Sequence, residues 1–150
     1  MSTYNPTLTS SPAIGYAGDV TPDEAFRAWQ AGDAVLVDIR TQAEREWVGF
    51  VPDAPVVAWK QWPGMVMNPD FDAQIRALFD ASGGKPVVML CRSGIRSIAS
   101  AKRATELGIT AYNILEGFEG DPDGVGHRSS RGGWRYRGLP WRQNCIGRIF

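Results

Sequence analysis

The pattern of the chain predicts an α/β fold, with a mostly parallel central sheet of about five strands and helices on both faces. Three observations lead there. Short apolar runs bounded by Gly, Pro, Asn or Asp alternate with segments of helical periodicity along most of the sequence, the arrangement that joins parallel strands through crossover helices. One of those runs, Val87-Val88-Met89-Leu90, has no polar break and suits a strand covered on both sides. The chain has 150 residues, 43% hydrophobic and 21% charged, enough for one core that buries about two thirds of the unfolded surface.

Residues 1–14 begin with a stretch rich in Ser, Thr, Pro and Asn without apolar periodicity, and are expected to be a flexible arm. Gly15 to Val20 suits a short edge strand. Thr21-Pro22-Asp23-Glu24 supplies a hydroxyl cap, a proline for the first helical position and a carboxylate three residues after the cap, so a helix is predicted from there to Gly32. Val35-Leu36-Val37-Asp38 reads as a strand ending in an acid, the end at which open parallel sheets carry ligand-facing residues. Asp38 and Arg40 are therefore candidates for a polar pocket wall, although Arg40 with Glu44 also fits a four-residue charge pair at a helix start. Asp53 to Ala58 reads as a third strand. The loop Trp59-Lys60-Gln61-Trp62-Pro63-Gly64-Met65 has more aromatic surface than a loop needs; Trp59 and Trp62 either wall a pocket or pack on the sheet. Asn68-Pro69-Asp70 starts a helix with Phe71, Ile75, Leu78 and Phe79 on one face, which Gly83-Gly84-Lys85-Pro86 ends. A helix follows the Val87–Leu90 strand and stops at Gly108, and Ala111 to Leu115 makes the last strand.

Cys91 falls in the turn between that central strand and the Ala-rich helix after it. Converging loop amides, the positive end of the helix, and the charges of Arg92 and Arg96 favour thiolate over thiol, which makes Cys91 a candidate nucleophile. A cysteine at a strand end is otherwise commonly one more small buried hydrophobe. An inert thiol, however, gains nothing from two arginines and a glycine in the next five residues.

The run Cys91-Arg92-Ser93-Gly94-Ile95-Arg96-Ser97 after a hydrophobic strand resembles the active-site loop of the single-domain rhodanese-like sulfurtransferases, which carry sulfur as a cysteine persulfide. Four residues separate Cys91 from Arg96, whereas the related cysteine phosphatases have five, and the shorter loop encloses little more than a single sulfur atom. The resemblance covers residues 15–142 and implies the fold predicted above. It also implies a thiosulfate sulfurtransferase without a cofactor. In that reading Cys91 is catalytic and Arg92, Ser93, Gly94, Ile95, Arg96 and Ser97 form the loop that binds substrate and persulfide. Arg92 would meet the donor's negative group, Arg96 would stiffen the loop, and Ser93 and Ser97 would donate hydroxyl hydrogen bonds. The implied partners are a small anionic sulfur donor and a thiol or cyanide acceptor. The alternatives are a persulfide carrier that delivers sulfur to a protein partner and, less in keeping with the short loop, a cysteine-dependent phosphatase or arsenate reductase.

Two departures from the family pattern stand out. Gly49-Phe50-Val51-Pro52 occupies the place where the family commonly has Gly-His-Ile-Pro, so no histidine base is supplied there. Between the last strand and the family's ending, kept here as Gly132-Gly133-Trp134 and Gly138-Leu139-Pro140, an inserted loop spans 120–133 and is expected to be a mobile basic flap with His127, Arg128 and Arg131. Its Asp121-Pro122-Asp123-Gly124 lacks the further acids of a calcium loop, so no metal is expected.

The formal net charge is zero, which argues against bulk nucleic-acid binding or a polybasic membrane tail. The charge is nonetheless divided: residues 1–84 carry 11 acidic and 5 basic groups, residues 85–150 the reverse. The half with Cys91 is suited to drawing in small anions. Arg135, Arg137, Arg142 and Arg148 are interleaved with Tyr136 and Trp141, a pattern that can bind single strands, but no recognised nucleic-acid motif accompanies it. Residues 143–150 are expected to be a tail, where Cys145 is either a spare thiol or a second sulfur acceptor. Two cysteines and one histidine make neither a disulfide framework nor a usual zinc site. With no apolar run near the roughly 20 residues that span a bilayer and no signal-peptide pattern, a cytoplasmic protein is expected.

Overall fold

The computed structural model describes residues 15–143, over which the chain runs β1 (Gly18–Val20), α1 (Pro22–Gln30), β2 (Val35–Asp38), α2 (Gln42–Trp47), β3 (Lys60–Gln61), β4 (Val66–Met67), α3 (Phe71–Ala81), β5 (Val87–Leu90), α4 (Arg96–Glu106) and β6 (Ala111–Ile114). The arm expected over 1–14 and the tail beyond 143, with Cys145 and Arg148, lie outside the described residues. Four parallel strands form the central sheet in the order β1-β6-β5-β2. β5, the strand that leads to Cys91, is therefore interior, with both of its edges paired.

Alternation along the strands divides the core in two, as a sheet covered on both faces requires. Leu36, Val88, Leu90, Tyr112 and Ile114 pack with Ala25 and Ala28 of α1 and with Phe118 and Trp134. Val37, Val87, Met89, Cys91 and Ala111 pack with Phe71 and Ile75 of α3 and Ala101 and Ala104 of α4. Each of the first two helices opens on a capping box: Thr21 with Glu24, and Thr41 with Glu44. The first was legible as such. In the second, Glu44 is the residue that sequence spacing pairs with Arg40 instead.

The expected third strand over 53–58 is reduced to a single parallel bridge between Asp38 and Val56, so the sheet has four strands and not five. Asp38 N–H donates to Pro55 O and Val57 N–H to Asp38 O, and Trp59 N–H reaches Ile39 O out of that register, but the regular ladder stops on both sides. Pro55 has no N–H to extend it one way. On the other side the Arg40 N–H is taken by Asp38 Oδ1, at 3.0 Å. The aromatic stretch after it, expected as a loop, folds into the small β3-β4 antiparallel hairpin.

The 120–133 insertion is tied down rather than left as a free flap. Asp123 Oδ1 accepts from the N–H groups of Val125 and His127, each at 2.9 Å, and Ser130 Oγ donates to Asp123 Oδ2 at 2.5 Å. Arg128 donates to Gly120 O and Ser129 N–H to Glu119 O. Arg135 and Arg137, read as part of a basic tail, are also committed inside the molecule. Arg135 reaches Val48 O and Ser129 Oγ, and Arg137 spans Glu116 and Asp23. No helix among the described residues is long and apolar enough to cross a membrane.

Candidate active site

Cys91 directly follows the end of β5 and is 1% exposed. Gly94 N–H donates to its Sγ at 3.1 Å, and Ser97 Oγ lies 3.1 Å from the same atom. The loop can turn this tightly because Gly94 has a φ of +94°, and a Cβ there would come within 3.1 Å of Glu116 N. Behind it, α4 begins at Arg96 with no side chain capping its first turn, so its positive end is free to act on an anion. Arg92 and Ile95 face solvent, while Gly94 and Ser97 face inward.

Two outside segments hold the loop in shape. Phe118 N–H donates to Cys91 O at 2.8 Å and Glu119 N–H to Arg92 O at 2.9 Å. These bonds need backbones so close that a Cβ on Gly117 would sit 2.5 Å from Cys91 O. From the other side, Arg96 forms a two-pronged pair with Glu44, at 2.8 and 2.6 Å, and Glu44 also accepts from the N–H and hydroxyl of Thr41 at the start of α2. Burial pushes the Glu44 carboxyl up, but the Arg96 guanidinium and the Thr41 bonds outweigh it and hold the group below the usual carboxylate range. Burial works against the Arg96 charge, and Glu44 more than compensates, so its guanidinium is still more firmly protonated than usual. Arg96, expected to stiffen the loop, is thus paired with Glu44, a partner that local sequence spacing does not reveal.

The other candidates separate. Asp38 and Arg40 do not wall the cysteine site; they pair with each other, through Arg40 Nε and Nη2 at 3.0 and 2.7 Å, and Arg40 Nη2 also donates to Gly49 O. The Arg40 guanidinium lies 4.1 Å from the Phe118 ring centre. The expected Arg40–Glu44 pair is replaced by Arg40–Asp38 and Arg96–Glu44, because Arg40 points into the core and Glu44 toward the cysteine loop. Trp59 packs edge-on against Phe71 at 4.8 Å, whereas Trp62, 64% exposed, lines a cleft of about 360 Å³ with Thr41, Glu44, Met65, Arg92 and Arg96. One tryptophan belongs to the core and the other to the mouth of the site. Phe50, at the position of the missing histidine, forms an antiparallel bridge with Arg142.

A polar chain behind Cys91 went unread in the sequence. Ser97 Oγ donates to Asn113 Oδ1, Asn113 Nδ2 donates to Asp19 Oδ1 at 3.0 Å, and Tyr16 OH donates to the same Asp19 oxygen at 2.8 Å. The sheet register puts Asp19 directly beside Asn113 and Asn113 beside Met89. A buried asparagine inside the run Ala111-Tyr112-Asn113-Ile114 was the one available signal, since a polar group in a covered strand needs a partner.

Comparison with known proteins bears on the family and the fold. A family model described as Rhodanese-like domain matches residues 21–120. The crystal structure of Rv0390 from M. tuberculosis is 44% identical, covers 86% of this chain and 99% of its own, and superposes with a TM-score of 0.76. An uncharacterized protein of Rickettsia conorii is 32% identical over 113 residues, 73% of this chain and 84% of the relative. The polysulfide-sulfur transferase homodimer of Wolinella succinogenes, 21% identical over 90% of this chain and 85% of its own, shares the fold with a TM-score of 0.54.

Proposed function

The chain belongs to the rhodanese-like domain family, and from that premise we propose that it is a sulfurtransferase that moves a sulfane sulfur from an anionic donor such as thiosulfate to a thiophilic acceptor through a persulfide on Cys91. The observation that carries the reading is the six-residue cradle Cys91 to Arg96: an enclosed sulfur, an inward N–H from Gly94, an uncapped helix start and, among the described residues, no carboxylate in hydrogen-bond contact with Sγ.

In the first half-reaction the Cys91 thiolate attacks the outer sulfur of thiosulfate. The donor's S–S bond breaks, sulfite leaves with the bonding electron pair, and a Cys91 persulfide remains. Arg92, exposed at the cleft, meets the donor's sulfonate group. Arg96 is held by Glu44 and contributes positive potential rather than a direct bond to substrate. In the second half-reaction a thiol or cyanide attacks the outer sulfur, and the bonding pair of the persulfide returns to Cys91. The arrangement also favours sulfur over phosphorus. With Cys91 1% exposed and a loop of four intervening residues around its sulfur, a slim sulfane atom fits the approach better than a tetrahedral phosphoryl group does, which disfavours the phosphatase and arsenate reductase alternatives.

The carrier alternative keeps one supporting observation: Trp62 and Ile95, 64% and 69% exposed, give the site an apolar rim that suits a protein acceptor. Intact mass before and after thiosulfate, and then after cyanide, tests the main reading. The parent protein is expected to gain one sulfur and lose it as thiocyanate forms, while Cys91→Ser gains none and keeps its thermal midpoint. Turnover retained by Cys91→Ser would overturn the scheme. Loading of Cys91 with slow turnover on small acceptors would favour the carrier.

A further inference from the structure

The polar chain from Tyr16 to Ser97 fixes the direction in which the Ser97 hydroxyl points. An ionised carboxylate only accepts hydrogen bonds, so the Asp19 oxygen, 3.0 Å from Asn113 Nδ2, turns the amide's NH2 toward β1. The Oδ1 end of Asn113 is thereby aimed at Ser97, whose single hydrogen is given to it. Tyr16 OH keeps Asp19 in place at 2.8 Å; burial and then Asp19 itself push that phenol up to about 12, so it remains a donor throughout the physiological range. Ser97 and Asn113 are both fully buried, so each depends on a partner within the fold.

With its hydrogen committed, Ser97 Oγ turns only lone pairs to Cys91 Sγ, 3.1 Å away. Lone pairs suit a neutral S–H, which donates to them, and oppose a thiolate. Charging Sγ requires Ser97 to swing its hydrogen to the sulfur and leave the buried Asn113 Oδ1 without a donor, a state that folded proteins rarely tolerate. The inner sulfur of a persulfide carries no formal charge and imposes no such demand. We propose that Asn113, oriented by Asp19, is a positioning residue that withholds the Ser97 hydrogen from Cys91, so that the network favours the thiol and the sulfur-loaded cysteine over the bare thiolate. The preference for the loaded form rests on the sulfurtransferase reading; the control of the thiol does not.

This control works against other groups around the sulfur. Gly94 N–H, Arg92 and Arg96 from the loop and α4 favour the thiolate, Arg96 being partly neutralised by Glu44 of α2. On β2 the Asp38 charge is matched by Arg40. On β1 Asp19 lies one hydrogen-bonded residue beyond Ser97 and is exposed, so the polar chain connects an enclosed thiol to a surface carboxylate at the sheet edge.

The test is the pH dependence of Cys91 alkylation by iodoacetamide, followed by mass on the Cys91 peptide and requiring no sulfur donor. Asn113→Leu removes the acceptor and frees the Ser97 hydrogen, so the alkylation midpoint is expected to fall by about one pH unit, with a roughly tenfold faster reaction on the acid side. Asp19→Ala, a surface change that spares the core, lets the amide reverse and is expected to shift the midpoint in the same direction by a smaller amount. Both shifts must vanish in a Ser97→Ala background, because the freed hydroxyl is their cause. A midpoint that stays or rises in Asp19→Ala, or a shift that persists without the Ser97 hydroxyl, would overturn the proposal. Failure of the sulfurtransferase reading would show separately, as an absent sulfur gain in a protein whose alkylation behaves as described.

Discussion

β2 and β5 lie side by side, with Asp38 in register with Leu90, and each strand delivers a buried polar group at its C-terminal end. After β2 most of the groups pair with one another: Asp38 takes the Arg40 backbone N–H and the Nε and Nη2 side of its guanidinium, Arg40 Nη2 reaches on to Gly49 O, and Phe118 covers the charge. After β5, Cys91 is given one N–H and a hydroxyl that already serves another residue. The first arrangement is spent inside the fold apart from Arg40 Nη1, which is buried without a hydrogen-bond partner. The second holds its shape through backbone bonds from Phe118 and Glu119 and a distant ion pair, and leaves the sulfur's own bonding incomplete. Two equally buried ends of the same sheet therefore differ in whether polar groups are spent on the fold or held back for chemistry.

The largest way to break this comparison is at the β2 end. Arg40→Met leaves Asp38 buried without its partner and is expected to cost about 3–5 kcal/mol, read as a lower urea midpoint, whereas Asp38→Leu with Arg40→Met is expected to restore much of that loss. Failure of the single variant to destabilise would mean that the pair is not the structural unit described. Next is Glu44→Gln, which weakens the anchor of the cysteine loop and the cap of α2 together, at about 1.5–3 kcal/mol, as for hydrogen bonds to charged groups. The folded Glu44 carboxyl is held low, so its contribution is present above the unfolded carboxylate value near ~4.3 and is lost as the pH falls through the folded value. The difference in thermal midpoint between parent and variant is therefore expected to be full at pH 6–7 and to shrink toward pH 3. A constant difference would assign it to lost packing. The smallest effect belongs to exposed Arg92: Arg92→Ala is expected to leave stability unchanged and to raise the apparent KM for thiosulfate roughly fivefold, about 1 kcal/mol for a solvated charge pair. An unchanged KM would remove Arg92 from donor binding.

Signals local in sequence were read well. The capping box at Thr21, the unbroken β5 run and the turn at Cys91 each sit within a few residues, and each lies where it was expected. What was missed depends on pairings across the sheet. Nothing near Glu44 shows that it meets Arg96, 52 positions on, so spacing suggested Arg40 instead. Asp19 and Asn113, 94 positions apart, become neighbours only when β1 pairs with β6. The expected fifth strand failed for a reason present in the sequence but hard to weigh there: Pro55 lacks the N–H that a longer ladder needs, and Asp38 captures the next one. The tryptophan pair was ambiguous because hairpin geometry decides which ring faces inward, and periodicity over two-residue strands is too short to show it.

The bonds from Phe118 and Glu119 to the carbonyls of Cys91 and Arg92 also bear on when the site comes into being. The cysteine is synthesised before the segment that shapes its loop, and the close approach of Gly117 requires a residue without a Cβ at that position. A growing chain that has passed residue 91 but not residue 119 holds a thiol in a slack turn, without the inward-facing amide or the fixed helix end. The shape of the site in this sense depends on a segment that follows the cysteine in the chain.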